Sequence, residues 1–208
     1  GEPFARAVRP RAPESRFLFK PKETEQYHVS LGSRGLPAGS EDRFAMAALN
    51  NVLGGGMSSR LFQEVREKRG LAYAVYSYHQ GYSDAGALKV YVGSTTNNVE
   101  EAVRVIAEQL ERLREEPVSE EELERTKQQL KSSTLLALES TAARMNRIGR
   151  GVITGTELLA PEEMARRIEA VSAEDILRLA REHLDLKNMY LSAIGPREID
   201  LGRYLEGA

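Results

Sequence analysis

The stretch that decides the fold runs from Gly54 to Tyr78 and reads GGGMSSRLFQEVREKRGLAYAVYSY. Its three leading glycines end one helix and open a loop, because glycine adopts backbone conformations that other residues avoid. Leu61, Phe62 and Val65 then recur at helical spacing, and Gly70 ends this short helix. The residues after that glycine are small, β-branched or aromatic, which is typical of a strand. The stretch therefore predicts a loop, a short helix and a strand in direct succession.

The loop itself has two further features that bear on function. Ser58 or Ser59 is predicted to cap the short helix, because a serine oxygen accepts from the free N–H groups at a helix start. A glycine-rich loop also suggests phosphate binding. However, no Gly-Lys-Ser or Gly-Lys-Thr follows the glycines, and no Gly-x-Gly-x-x-Gly follows a strand. The pattern therefore does not favour a nucleotide site.

Two side chains flank the turn at Gly70 and suggest chemistry. Arg66 lies near the end of the short helix and Tyr73 lies near the start of the strand. A guanidinium and a phenol held close together can donate hydrogen bonds to a carbonyl oxygen or to a developing oxyanion. The alternative is structural: Arg66 pairs with a surface glutamate, and Tyr73 fills the sheet face with its hydroxyl at the edge. The spacing alone leaves both interpretations open.

The whole run from Gly54 to Tyr73 resembles the second domain of the insulinase and pitrilysin group of zinc peptidases. It is most similar to the catalytic subunit of mitochondrial processing peptidase and its bacterial relatives. The resemblance continues more weakly through the strand around His28, the helices after Asn97 and a closing strand at Ile194. It implies that Arg66 and Tyr73 are catalytic, reaching across to hold substrate and stabilise the transition state. With that role we assign substrate binding to the preceding loop residues Gly54, Gly55, Gly56, Ser58 and Ser59.

The metal site of this family is missing from the sequence. The family binds zinc through His-x-x-Glu-His in its first domain, with a glutamate farther along, and the first glutamate is the general base. In this sequence the only histidines are His28, His79 and His183, far apart, and there is no cysteine. The resemblance therefore implies that zinc is held by a partner half and that this chain binds no metal.

Two functions follow from this departure. The chain is either the C-terminal half of a zinc metalloendopeptidase, or a non-catalytic scaffold or substrate-binding subunit of a peptidase-like complex. The absence of an initiator methionine and the retention of Arg66 and Tyr73 favour the first. The expected partners are a homologous metal-bearing N-terminal half or subunit and a peptide substrate. An apolar surface left exposed by separation predicts a dimer or larger assembly.

Composition excludes several other classes of protein. The chain has 208 residues, of which 41% are hydrophobic and 29% charged, with a net charge of −2 and a pI near 6.1. Such a balance gives no electrostatic footprint for nucleic acid. No apolar run approaches the roughly 20 residues of a membrane span. The lack of cysteine fits a reducing compartment, so we expect the bacterial cytoplasm, with the periplasm or the mitochondrial matrix left open.

The remaining pattern predicts one domain after a linker. Residues 1–22 hold four of the eight prolines and are assigned to an interdomain linker, and residues 23–208 to the peptidase C-terminal domain. The predicted fold is α+β, an antiparallel-rich mixed sheet covered on one side by helices in a split βαβ sandwich. The resemblance implies the metallohydrolase fold shared by LuxS and processing peptidases. The predicted elements are a strand at 25–35, a helix at 41–53, hairpin strands at 71–78 and 87–93 with a turn at 79–86, a helix at 97–116, one long helix at 119–149, two shorter helices from Pro161 and Ser172, and a final strand at 189–194.

Overall fold

A five-stranded mixed sheet forms the centre of the computed structural model, which describes residues 15–206. The strands lie in the order β1-β5-β2-β4-β3. β1 is parallel to β5, and every other neighbouring pair is antiparallel. The predicted antiparallel-rich mixed sheet is therefore confirmed. The strands are β1 (Phe17–Pro21), β2 (Tyr27–Gly35), β3 (Ala72–Gly81), β4 (Gly86–Ser94) and β5 (Tyr190–Gly195).

Within residues 15–206, six α-helices accompany the sheet. Among the described helices, none combines the length and the hydropathy that a membrane span needs. The short helix of the central stretch is a π-helical segment, and two short 3-10 turns flank β5. The α-helices are α1 (Arg43–Gly54), α2 (Val99–Glu115), α3 (Glu120–Ala137), α4 (Thr141–Thr154), α5 (Pro161–Glu169) and α6 (Ala173–His183).

The core lies between the helices and one face of the sheet. Alternate strand residues such as Leu31 and Val90 are completely buried, and they belong to one cluster with Leu49 of α1, Ile106 of α2 and Leu179 of α6. Burying one such side chain stabilises the fold by roughly 1.5–3 kcal/mol. The period-two pattern of the strands thus decides which face the helices cover.

The other face of the same strands, which we call the open face, carries side chains that are exposed or only partly buried. Strand geometry places alternate residues on opposite faces. His28 is therefore exposed while Tyr27 and Val29 are buried, as the sequence pattern predicts. Open-face positions are Leu18, Lys20, His28, Ser30, Gly32, Arg34, Tyr76, Tyr78, Lys89, Tyr91, Tyr190, Ser192 and Ile194.

The single long helix expected at 119–149 is wrong, because the structure divides it into α3 and α4. Leu138 N–H donates to Leu135 O at 3.0 Å, which tightens the last turn of α3. Ser140 then caps α4, its hydroxyl oxygen accepting from Ala143 N–H at 3.4 Å. A serine cap therefore begins a new helix where no proline or glycine signalled a break.

The sheet also begins inside the segment assigned to a linker. Phe17 and Phe19 pack against the core, and β1 pairs with β5 at the edge of the sheet. Pro21 is tolerated because it ends an edge strand, where one side needs no N–H donor. Residues 1–14 of the expected linker lie outside the described residues.

Candidate active-site pair and loop

A widened helical turn holds Arg66. In the π-helical segment Phe62–Glu67, Lys68 N–H donates to Gln63 O at 2.9 Å, a five-residue spacing instead of the usual four. The buried side chain of Val65 anchors the segment to the core. Such π turns are often found at functional sites.

Gly70 ends this segment in the left-handed conformation, with φ of +61°. Its N–H donates to Arg66 O at 3.0 Å, and the next residue, Leu71, donates to Val65 O at 2.9 Å. Glycine takes this φ without a steric penalty. The predicted stop is therefore confirmed, and it directs the chain straight into β3.

A β-bulge turns Tyr73 outward. Ala72 pairs with Ser94 and Ala74 pairs with Gly93, so Tyr73 is the extra residue between two regular pairs. Ala72 and Val75 are both buried although they lie an odd number of residues apart, which an uninterrupted strand does not allow. The bulge resolves this conflict and leaves the Tyr73 side chain 77% exposed.

Arg66 and Tyr73 are in direct contact. The guanidinium carbon of Arg66 lies 4.5 Å from the centroid of the Tyr73 ring and 4.8 Å from that of Phe62. Arg66 Nη1 also donates to Tyr73 O at 3.2 Å. At these distances the cation is attracted to both rings. Its Nε lies 3.7 Å from Glu67 Oε1, a surface contact of little energy. The structure thus brings the two predicted catalytic residues together at the turn.

The two cations that follow Arg66, Lys68 and Arg69, both pair with Glu64. Lys68 Nζ lies 2.6 Å from Glu64 Oε1, and Arg69 Nη1 contacts the other oxygen of the same carboxylate. Hydrogen bonds from Lys68 and then Arg69 hold the pKa of Glu64 below its ordinary value. Arg66 is therefore the cation of this helical end that faces Tyr73.

The loop residues assigned to substrate binding divide into two groups, of which the first is buried. Gly54 is pressed against β3, and a Cβ atom there would lie 2.4 Å from the backbone nitrogen of Ser77. Ser59 is buried as well, and its hydroxyl donates to Gly56 O at 2.5 Å. The predicted serine cap is therefore wrong: the short helix has no side-chain cap, because Ser59 closes the loop instead.

The second group is accessible. Gly55 and Ser58 are exposed and Gly56 is partly exposed. Met57, a neighbour that the sequence pattern does not single out, is exposed as well. Gln63 Nε2 donates to Met57 O at 2.8 Å and ties the loop to the π-helical segment. The exposed part of the loop is thus connected to the element that carries Arg66.

One positioning contact was not visible in the sequence. Arg60 forms a two-fold hydrogen bond with Glu122 of α3, with Nε to Oε1 at 3.0 Å and Nη2 to Oε2 at 2.8 Å. Both side chains are mostly buried. Two parallel hydrogen bonds fix the orientation of the Arg60 side chain as well as its distance from Glu122. The sequence predicts only that Glu122 lies at the start of its helix, because no sequence pattern relates Arg60 to a residue so far along the chain.

The described residues do not fit a zinc site. Within residues 15–206, no group of three or more His, Cys, Asp or Glu side chains could hold a metal ion. The three histidines have separate partners: His28 with the Tyr91 hydroxyl, His79 with Leu36 O and His183 with Arg34 O.

Comparison with known proteins places this chain in a family. The model of the peptidase M16 inactive domain matches residues 1–130. The chain is 45% identical over 175 residues to an uncharacterized zinc protease of Streptomyces coelicolor, covering 84% of this chain and 38% of the relative. It is 42% identical over 179 residues to another of Bacillus subtilis, covering 86% and 44%. These matches confirm the resemblance carried by the central stretch.

Solved structures show the same fold. A peptidase M16 inactive domain from Pseudomonas fluorescens superposes with a TM-score of 0.84 at 24% identity, over 95% of this chain and 48% of that chain. The chain spans less than half the length of the Streptomyces coelicolor and Bacillus subtilis relatives.

Proposed function

Because this chain belongs to the peptidase M16 family as its inactive, C-terminal domain, we propose that it is the C-terminal half of a zinc metalloendopeptidase that cleaves peptides or small unfolded proteins. The observation that carries this proposal is the contact between Arg66 and Tyr73. Two side chains with hydrogen-bond donors meet on a turn, and no other element of the described chain covers the exposed tyrosine.

The chemistry of the pair suits a peptide carbonyl. The Arg66 guanidinium presents planar donors that can hold a carbonyl oxygen in the ground state. The Tyr73 hydroxyl has no hydrogen-bond partner among residues 15–206, so its proton is available to an oxyanion that develops during hydrolysis. Both roles need a peptide from outside this chain to lie against Arg66 and Tyr73.

The metal belongs to another half in this proposal. The described residues offer no zinc site, whereas the relatives named as zinc proteases are more than twice as long as the region they share with this chain. A homologous N-terminal half, in the same polypeptide or in a second subunit, would hold the zinc. This chain would supply substrate contacts through Arg66, Tyr73 and the exposed part of the loop.

Helix α4 supports the presence of a partner. Its side chains Met145, Ile148, Val152 and Ile153 recur at helical spacing, and each is more than half exposed. Contiguous apolar surface of this kind usually marks an interface. It favours an assembly in which another half of the enzyme, or another copy, covers part of this domain.

The test uses the full-length protein with both halves present. Tyr73→Phe should lower kcat by roughly tenfold to a thousandfold, because one donor to an oxyanion contributes at most about 3–4 kcal/mol and the zinc of the partner half would share the load. Arg66→Ala should lower kcat and raise KM, and Arg66→Lys should restore only part, since lysine lacks the planar fork. Peptide hydrolysis measured over a range of substrate concentrations separates the two effects.

Tyr82→Phe is the matched control, because it removes the hydroxyl of another exposed tyrosine, in the turn after β3. We expect it to keep the parent kinetics. If Tyr73→Phe and Arg66→Ala also keep them, with the zinc content and assembly intact, the pair is structural and the proposal fails.

The alternative function is a non-catalytic scaffold or substrate-binding subunit. The description of the matching family model as an inactive domain favours it for the chain taken alone. Zinc content and peptidase activity of the full-length protein separate the two functions. A protein that binds peptide, contains no zinc in any subunit and cleaves nothing would be a scaffold.

A further inference from the structure

The open face of the sheet carries charge of one sign. Strand positions on this face include the cations Lys20, Arg34 and Lys89. No open-face strand position is an aspartate or a glutamate. Within residues 15–206, no carboxylate lies within 4.0 Å of these three cations. The chain as a whole has a net charge of −2, so the open face departs in sign from the rest of the surface.

Tyrosines form a continuous row beside these cations. The ring centroids of Tyr76 and Tyr91 lie 5.0 Å apart, and those of Tyr76 and Tyr78 lie 6.1 Å apart. Lys89 Nζ lies 5.6 Å from the Tyr78 centroid. Neighbouring tyrosines offer apolar area at low entropic cost together with a polar tip.

A depression crosses the open face next to this row. Its volume is about 570 Å³, and its lining includes Leu18, Ser30, Gly32, Lys89, Tyr190 and Ser192. The small residues come from β2 and β5, Leu18 of β1 and Lys89 of β4 lie on either side, and Tyr190 lies opposite Gly32 on β5. The volume falls within the range of ligand sites in proteins. We call this depression the trough.

The row and the trough continue from the candidate active site. Tyr73 and Tyr76 lie on the same strand, and Tyr76 pairs directly with Tyr91 across β3 and β4. Tyr78 likewise pairs with Lys89, which lines the trough. A peptide held at Arg66 and Tyr73, at the edge of the sheet, can therefore extend over Tyr76 and Tyr91 toward the trough.

We propose that the open face is a substrate exosite that binds an acidic, extended segment of the peptide away from the bond that is cleaved. The inference deepens the proposed peptidase function and rests on it. Carboxylates of the segment pair with Lys89 and Lys20, and its apolar or aromatic side chains lie on the tyrosine row and in the trough. Charge complementarity selects this occupant over a basic segment.

Binding to the 208-residue chain tests the exosite without any hydrolysis. The probes are two fluorescein-labelled peptides with the same Gly-Ser-Tyr frame, one carrying four glutamates and the other four lysines at the same places. Fluorescence anisotropy should show tighter binding of the glutamate peptide, with an affinity that falls as salt is raised. Because no cleavage is measured, a failed exosite and a failed peptidase proposal give different results.

Two kinds of variant locate the binding. The double change Lys20→Gln and Lys89→Gln should weaken the glutamate peptide about three- to tenfold, the effect of losing two exposed ion pairs. Ser192→Tyr should weaken it comparably by filling the trough while keeping both charges. Lys131→Gln removes a lysine of α3, in the helix layer on the other side of the sheet, and should leave Kd unchanged. Thermal unfolding verifies that each variant is folded.

Three results would overturn the proposal. The first is equal or tighter binding of the lysine peptide, which would mean capture of cations by the tyrosines. The second is a Kd that stays within twofold in both the double lysine variant and Ser192→Tyr. The third is no peptide binding together with self-association that Ser192→Tyr abolishes, which would identify the open face as a contact between two copies.

Discussion

The two faces of the sheet are built from the same strands and have opposite properties. On the face under the helices, Leu31, Leu88 and Val90 are completely buried. On the open face, their immediate neighbours Ser30 and Lys89 are partly exposed, and the face bears tyrosines, small residues and cations. Alternation along each strand therefore separates stability from recognition, with stability on one face and candidate binding groups on the other.

The alternation between the two faces is interrupted at one end of β3. At Tyr73 the strand carries one extra residue, so the alternation restarts with both Ala72 and Val75 buried. The bulge lets the strand keep its core contacts and still direct a large side chain toward the helix that carries Arg66. The candidate active site therefore lies at the irregular end of β3.

The largest expected difference between the faces is in stability. Leu31→Ala should lower the free energy of unfolding by about 2–5 kcal/mol, because it removes buried methyl groups and leaves a cavity. Ser192→Ala on the open face should change it by less than about 0.5 kcal/mol. Urea unfolding followed by circular dichroism measures both. Similar losses at the two positions would mean that the open face is covered in solution.

A smaller effect is expected where α1 touches the buried face. Gly54→Ala should lower the free energy of unfolding by about 1–3 kcal/mol, because the new Cβ would lie 2.4 Å from the Ser77 backbone nitrogen. The control is Gly149→Ala in α4, where nothing lies within 4 Å. That change should stabilise by about 0.5–1 kcal/mol, since alanine favours helix. Equal effects of the two substitutions would contradict the close packing at Gly54.

The smallest expected effect is a pH dependence from the buried side of β3. Burial lowers the pKa of His79 below its ordinary value of 6.5, the charge of His183 adds to this, and the bond to Leu36 O opposes it. The unfolded chain then binds more protons below about pH 6.5, so stability should fall as the pH drops below that value. It should not depend on this group at higher pH.

His79→Gln checks that dependence. The variant keeps a donor for Leu36 O but cannot be protonated, so its free energy of unfolding should vary less between pH 7.5 and 5.5 than that of the parent. Urea midpoints at several pH values give the comparison. An unchanged slope in the variant would assign the pH dependence to other groups.

Much of the site was predictable because its signals are local. The glycines, the short apolar stripe, the stop at Gly70 and the strand that follows lie within one continuous stretch. The strand boundaries agree within a few residues, since period-two alternation reports a half-buried strand directly. The resemblance named the residues Arg66 and Tyr73, and the tight turn between them predicts that they lie close together.

The errors have equally specific causes. The break between α3 and α4 was missed because Ser140 resembles an ordinary surface residue until it caps a helix. Strand β1 was missed because the prolines of residues 1–22 suggested a linker, whereas an edge strand paired on one side tolerates Pro21 at its end. The predicted cap at Ser58 or Ser59 failed because Ser59 is turned inward to bond Gly56 O.

The sequence by itself determined the family, the strand alternation and the residues able to donate hydrogen bonds, because these depend on residue type and short-range spacing. The tertiary structure alone decided the bulge that exposes Tyr73, the pair between Arg60 and Glu122, and the side-by-side placement of Tyr76 and Tyr91. Each of these depends on a contact between segments that are distant in the chain. Such contacts exist only after the core has set the register of the strands and the position of the helices.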